Sequence, residues 1–220
     1  MRTNKFVSDE YDEEELEDES EALVLHSGVF MLSGMIDTVS TNQIMAAIIA
    51  ECAKGTSTDI TIIVNSGGGS ISAAFALISV IRSSSIPVTT IALGECSSAA
   101  LMIFMSGATR YVDKNASILS HQFSASFPGH AKAIDLRARQ KELEIVEKKL
   151  EDHYMQCSGL SRKKIRKELL TSSDVFLSPE ELIEYNLADG YYTTMEQFLP
   201  PKSQDVLELS NLLNESTPQK

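Results

Sequence analysis

Apolar and polar positions fall in blocks through the middle of the chain. Residues 60–64 (Ile-Thr-Ile-Ile-Val) and 87–93 (Pro-Val-Thr-Thr-Ile-Ala-Leu) are short apolar runs rich in β-branched residues, and each reads as a buried strand. Each leads through a cluster of small residues into an uncharged segment with helical spacing, 71–81 and 99–105. Upstream, 22–25 and 29–32 read as short strands around a His26-Ser27-Gly28 turn. Residues 40–52 bring Ile44, Ile48 and Ile49 to a helical face, with Thr38 or Ser40 as the cap. Downstream, 110–112 and 117–120 read as further strands. The alternation predicts an α/β fold with right-handed crossovers and a largely parallel sheet.

Residues 131–155 differ in kind. They are rich in Lys, Glu, Arg and Leu, lack glycine and proline, and carry an apolar stripe of Ile134, Leu136, Leu143, Ile145, Val146 and Leu150. A long helix is predicted, its exposed face supported by pairs such as Glu144–Lys148. Beyond Gln197, residues 206–213 show apolar periodicity after Pro200-Pro201, which reads either as a short docking helix or as a frayed tail.

Charge divides the chain. From Asp9 to Glu21 there are ten acidic residues and no basic one, while 22–220 hold 21 acidic against 17 basic residues. The expected organisation is an acidic, disordered leader (1–21), one domain (22–195) and a C-terminal extension (196–220). The leader would repel a phosphate backbone, so no nucleic-acid partner is expected. No run reaches the ~18 apolar residues of a membrane span, and the first residues lead into acid rather than an apolar signal core. Cys52, Cys96 and Cys157 show neither paired nor metal-like spacing, which favours free thiols in a reducing, cytoplasmic setting. Cys96 reads as a small packing residue.

The candidate chemistry lies at the turns. Gly94-Glu95-Cys96-Ser97-Ser98-Ala99-Ala100 places a serine between a strand and a buried helix, where free N–H groups and the helix dipole favour a developing oxyanion. Asn65-Ser66-Gly67-Gly68-Gly69-Ser70 lets a backbone approach a ligand closely. His121 closes the strand 117–120, and Asp174 precedes a Ser178-Pro179-Glu180-Glu181 helix start. Nucleophile, base and orienting carboxylate thus occur in the order Ser, His, Asp. Each also has a plain structural reading: a packed small-residue turn, a core histidine, a capping aspartate. Ser97 competes with Ser98, and the spacing from Gly94 favours Ser98. His26, His130 and His153 read as surface or packing residues; no metal and no cofactor are expected.

These segments, in this order, resemble those of the Clp-type serine peptidase (ClpP) family. Asn65–Ser70 is similar to the family's Asn-Ser-Pro-Gly-Gly-Ser segment, Gly94–Ala100 to its Gly-x-x-x-Ser turn, Ser120-His121-Gln122 to its His-Gln segment, Asp174–Glu181 to its Asp-x-Phe segment, and Glu184–Asp189 to its Glu-Tyr-Gly-Leu segment. The resemblance runs from about Val29 to Asp189. It implies a spiral of ββα units, shared with crotonases, from which the helix 131–155 projects as a handle. It further implies Ser98, His121 and Asp174 as catalytic triad, the amides of Gly68 and Ala99 as oxyanion hole, and a groove along 121–129. Heptameric rings stacked in pairs through the handle, an AAA+ Clp ATPase as partner, and peptides or unfolded proteins as substrates would follow.

Several positions depart from the family pattern. Gly67 stands where a proline is usual, Ser173 where an arginine precedes the aspartate, and Thr61 and Ile63 where tyrosines line the unfoldase pocket. The leader lacks the family's Tyr-Ser-Arg-Leu-Leu segment. The chemistry looks preserved, while docking and assembly control are open. A regulatory or structural subunit of a mixed ring, a phage-type head-maturation protease, and a crotonase-type acyl-CoA enzyme are the alternatives; the Ser-His-Asp set argues against the last.

Overall fold

A computed structural model describes residues 23–26, 28–125, 132–194 and 197. The acidic leader, residues 126–129 of the predicted groove segment, and the extension apart from Gln197 lie outside the described residues.

In chain order the elements are β1 (Leu23–His26), β2 (Val29–Ile36), α1 (Thr38–Lys54), β3 (Ile60–Gly69), α2 (Ile71–Ser83), β4 (Val88–Ser97) and α3 (Ala99–Phe104). There follow β5 (Thr109–Val112), β6 (Ser117–Ser120), α4 (Ala133–Ser158), α5 (Arg162–Glu168), β7 (Val175–Leu177), α6 (Pro179–Glu184) and β8 (Gly190–Tyr191). Strands β2, β3, β4, β5 and β8 form a parallel run, edged by antiparallel β1. The expected α/β class with a largely parallel sheet is what the chain adopts.

Strand β4 has two partners. Its first half, Thr89–Ala92, pairs with β5, and its last residues, Glu95–Ser97, pair with β6. The end of β4 thus has β6 on one side while Cys96 keeps its pairing with Ser66 of β3. Strand β7 then adds antiparallel to β6. The core lies between the sheet and the helices: Leu32, Ile36, Ile62 and Val64 meet Ile44, Ile48 and Leu77, and every residue of α3 is buried. With no polar face to offer, α3 fits only inside the domain.

Local chemistry sets the element ends. Asp37, rather than Thr38 or Ser40, is the N-cap of α1; its carboxylate accepts from the Ser40 N–H at 2.8 Å in a reciprocal capping box. Ile49 is 59% exposed, off the face that buries Ile44 and Ile48. The segments 65–69 and 94–97 were expected as turns but continue β3 and β4. Their small residues form an extended ladder whose register shifts between Val64 and Ser66. Helix α4 runs three residues past the expected end to a left-handed Gly159. Its first two thirds are largely exposed, and only from Leu150 does it bury side chains. Ile134, Leu136 and Ile145 of the stripe are therefore open. Glu144 accepts from Gln140 at 3.1 Å rather than pairing with Lys148.

The buried base of α4 is anchored by charge. Glu151, almost wholly buried, receives Arg162 and Arg166 of α5, whose hydrogen bonds hold its carboxyl below the usual range against burial that pushes it up. Arg110, also buried, donates to both carboxylate oxygens of Asp189 and to the carbonyls of Cys157 and Asn186. It ties β5 to the ends of α4 and α6. Asn186 adopts φ 55 where the resembled segment has glycine, a conformation that asparagine tolerates best among the other residues.

Candidate active site

Ser98 sits at the N-cap of α3 with φ 56 and ψ −119. A non-glycine residue held there stores about 1–3 kcal/mol of strain, which the surrounding packing must hold in place. The constraint is visible: the Ser98 N–H donates to Leu119 O at 2.9 Å, and Met102 N–H returns to Ser98 O at 3.2 Å. The sharp strand-to-helix turn presents the Ser98 side chain at the head of a buried helix. Ser97, its sequence competitor, is buried and donates its hydroxyl to Glu95 Oε1 at 3.0 Å.

His121 arrives through β6. Its neighbours are pinned to one segment: Ser120 Oγ donates to Leu169 O at 2.7 Å and Gln122 Nε2 to Leu170 O at 3.0 Å. Ser120 Oγ also meets the hydroxyl of fully buried Tyr154 at 2.8 Å. Because Ser120 is paired with Val175 in the antiparallel β6–β7 ladder, one step further sets His121 opposite Asp174. The result is Asp174 Oδ1 at 3.7 Å from His121 Nδ1. That is ion-pair range and longer than a hydrogen bond. Asp174 does not cap α6; Ser178 does, in a capping box with Glu181.

Ser98 and His121 line a single cavity of about 640 Å³, with Ile71, Phe75, Phe123 and Leu143 among its walls. No hydrogen bond joins them directly; unliganded catalytic sets often tighten only around substrate. The five predicted positions converge. A Cβ added to Gly68 (φ +104) would lie 2.8 Å from Ser98 Cβ and 3.2 Å from Ala99 N, so only glycine fits this approach. Ala99 N–H opens the first turn of α3 and has no intrahelical partner. Gly68 N–H, however, already donates to Ser66 Oγ at 3.0 Å, so the expected donor is engaged. Ser70 N–H bonds Ile36 O on β2. By the alternation of a parallel ladder, the intervening Gly69 N–H faces away from β2. Residue spacing gave no sign of which glycine amide was committed.

Cys96 and His153 lie outside this cavity. Cys96 is fully buried, and burial drives its thiol well above the usual range, so it packs. His153 is buried behind α3; burial lowers it to about 4. Among the described residues no cluster of three His, Cys, Asp or Glu side chains is placed to hold a metal ion. No helix among them is long and apolar enough to cross a membrane.

A largely parallel α/β sheet thus brings a strained serine and a histidine to one cavity, with a carboxylate beside the histidine. The chain belongs to the Clp protease family, whose sequence profile matches residues 12–195. It is 28% identical over 190 residues to ATP-dependent Clp protease proteolytic subunit 1 of Streptomyces avermitilis, covering 86% of each chain. It is 30% identical over 175 residues to proteolytic subunit 2 of Frankia casuarinae, covering 78% of each. It is 31% identical over 170 residues to chloroplastic proteolytic subunit 4 of Arabidopsis thaliana, covering 76% of this chain and 57% of that protein. Family membership supports a peptidase role.

Proposed function

We propose that the chain is a serine endopeptidase in which Ser98 attacks the scissile carbonyl, His121 takes and returns the proton, and Asp174 orients the imidazole. The observation that carries this reading is the convergence of a strained Ser98 and His121 on one cavity, with Asp174 3.7 Å from the imidazole. The hydroxyl proton passes to the imidazole as the Ser98 Oγ–carbonyl bond forms. The imidazolium then protonates the leaving amine, and water repeats the sequence to release the acid. The oxyanion would be held by Ala99 N–H and, with Gly68 N–H engaged, by Gly69 N–H. Each such donor is worth about 3 kcal/mol of barrier.

The exposed apolar residues of α4 suit a ring-joining handle, and a stacked pair of heptameric rings is the assembly proposed. The triads would then face an enclosed chamber. Unfolded polypeptides, fed by an AAA+ Clp ATPase, and short peptides would be the substrates, in a reducing cytoplasmic compartment. The acidic leader, repeated around a ring, would make a negative collar at its entrance.

A fluorophosphonate probe and a fluorogenic peptide test the chemistry together. Label on Ser98 and peptide hydrolysis, both lost in Ser98→Ala, are expected. Label on Ser97, or hydrolysis surviving in Ser98→Ala, would refute the assignment.

A further inference from the structure

A second cavity, of about 500 Å³, adjoins the first at Gly69. Its floor is the glycine strand, and among the described residues that line it Glu95 is the only charged one. Glu95 lies three residues before Ser98 on β4, and its position is fixed from two sides. Its N–H donates to Asn65 Oδ1 at 3.0 Å, and its carboxylate accepts the Ser97 hydroxyl at 3.0 Å. A Cβ added at Gly67 would lie 3.4 Å from both carboxylate oxygens, just as one at Gly68 would meet Ser98. Glu95 and Ser98 therefore lie against neighbouring residues of the glycine strand, Gly67 and Gly68.

The two cavities differ in charge. The one containing Ser98 and His121 carries Arg139 and Lys149 against Glu142 alone, while the glycine-floored one carries Glu95 alone. An extended substrate alternates its side chains, so residues on either side of the bond under attack point into different surroundings.

Resting on the peptidase reading, we infer that Glu95 is a specificity-determining residue that receives a basic substrate side chain across the scissile bond from the Phe75–Phe123 cavity. A lysine or arginine there gains an ordered carboxylate in a cavity with no competing cation among its described walls. The same side chain in the other cavity meets Lys149.

The test uses the full-length protein and quenched-fluorescence peptides with one cleavable bond. Lysine, its neutral isostere norleucine, and glutamate are placed in turn at each flanking position. At one position, kcat/KM for lysine should exceed that for norleucine by about three- to five-fold, the size of an exposed ion pair. The ratio should approach one in Glu95→Gln, invert to favour glutamate in Glu95→Lys, and shrink as salt rises. Binding of the same peptides to Ser98→Ala, followed by fluorescence anisotropy, should show the same order. Cleavage with a flat ratio at every position, or a lysine preference that survives Glu95→Gln, would overturn the role of Glu95 while leaving the peptidase reading intact. Absence of both cleavage and fluorophosphonate label on Ser98 would overturn that reading and this inference with it.

Discussion

The carbonyl of Met102, one helical turn beyond Ser98, accepts the Nε2 proton of buried His153 at 2.8 Å. That bond fixes the tautomer: Nδ1 is left as an acceptor, and Arg82 donates to it at 2.9 Å. The base of the long helix is thereby bolted to the helix that carries the serine. An imidazolium would set a second positive charge against Arg82 at a buried position, which is why burial and Arg82 both act to keep the ring neutral.

Acid should therefore weaken the fold through His153. The unfolded chain takes up a proton near pH 6.5 and the folded one only near pH 4. Stability then falls as pH drops through that window, by up to about 3 kcal/mol. Urea unfolding at intervals from pH 7 to pH 4 should show this slope. In His153→Gln, which can still donate to Met102 O, the slope should flatten; an unchanged slope would assign the acid sensitivity to other groups.

Gly68→Ala should cost labelling far more than stability. The new methyl would press on Ser98 Cβ and Ser97 O at 2.8 Å, and fluorophosphonate labelling should fall by a hundredfold or more. Gly55→Ala is the comparison. It has a similar left-handed φ of 66 with nothing within 4 Å, and should lose about 1 kcal/mol with labelling intact. Equal labelling in the two variants would mean the glycine strand does not bear on Ser98.

Tyr154→Phe removes a buried hydroxyl that meets Ser120 Oγ, while Ser120 keeps its bond to Leu169 O. A loss of about 1 kcal/mol in unfolding free energy is expected. Because Ser120 precedes His121, kcat should fall several-fold with KM little changed. A variant with altered stability and unaltered kcat would reduce the Tyr154–Ser120 bond to packing alone.

Leu136→Asp and Ile145→Asp place charges on exposed apolar positions of α4. If that face joins two rings, native mass measurement should find multiples of seven chains in both proteins, with the double ring lost in the variants. Both positions are at least 47% exposed, so monomer stability should change by under about 0.5 kcal/mol. A double ring that persists unchanged in both variants would exclude α4 as the joint.

Much of the architecture is written locally. The β-branched runs at 60–64 and 87–93, the uncharged helices after them and the helix start at Ser178 depend on neighbours within a few residues. Backbone periodicity and side-chain shape therefore suffice to announce them. Ser98, His121 and Asp174 stood out as candidates for the same reason, each marked by the turn or strand end that carries it. Distance in space was not legible. Which partner takes the end of β4, and that β7 pairs with β6 so that Asp174 comes opposite His121, depend on ladder register between segments that are distant in the chain, more than fifty residues apart for β6 and β7. The carboxylate of Glu95 lies beside Gly67 where the β3–β4 register shifts after Val64. The sequence by itself determined which groups could act and where elements begin. The tertiary structure alone decided which of them meet, because pairing between distant strands is set by the packing of the whole core rather than by any segment's own preference.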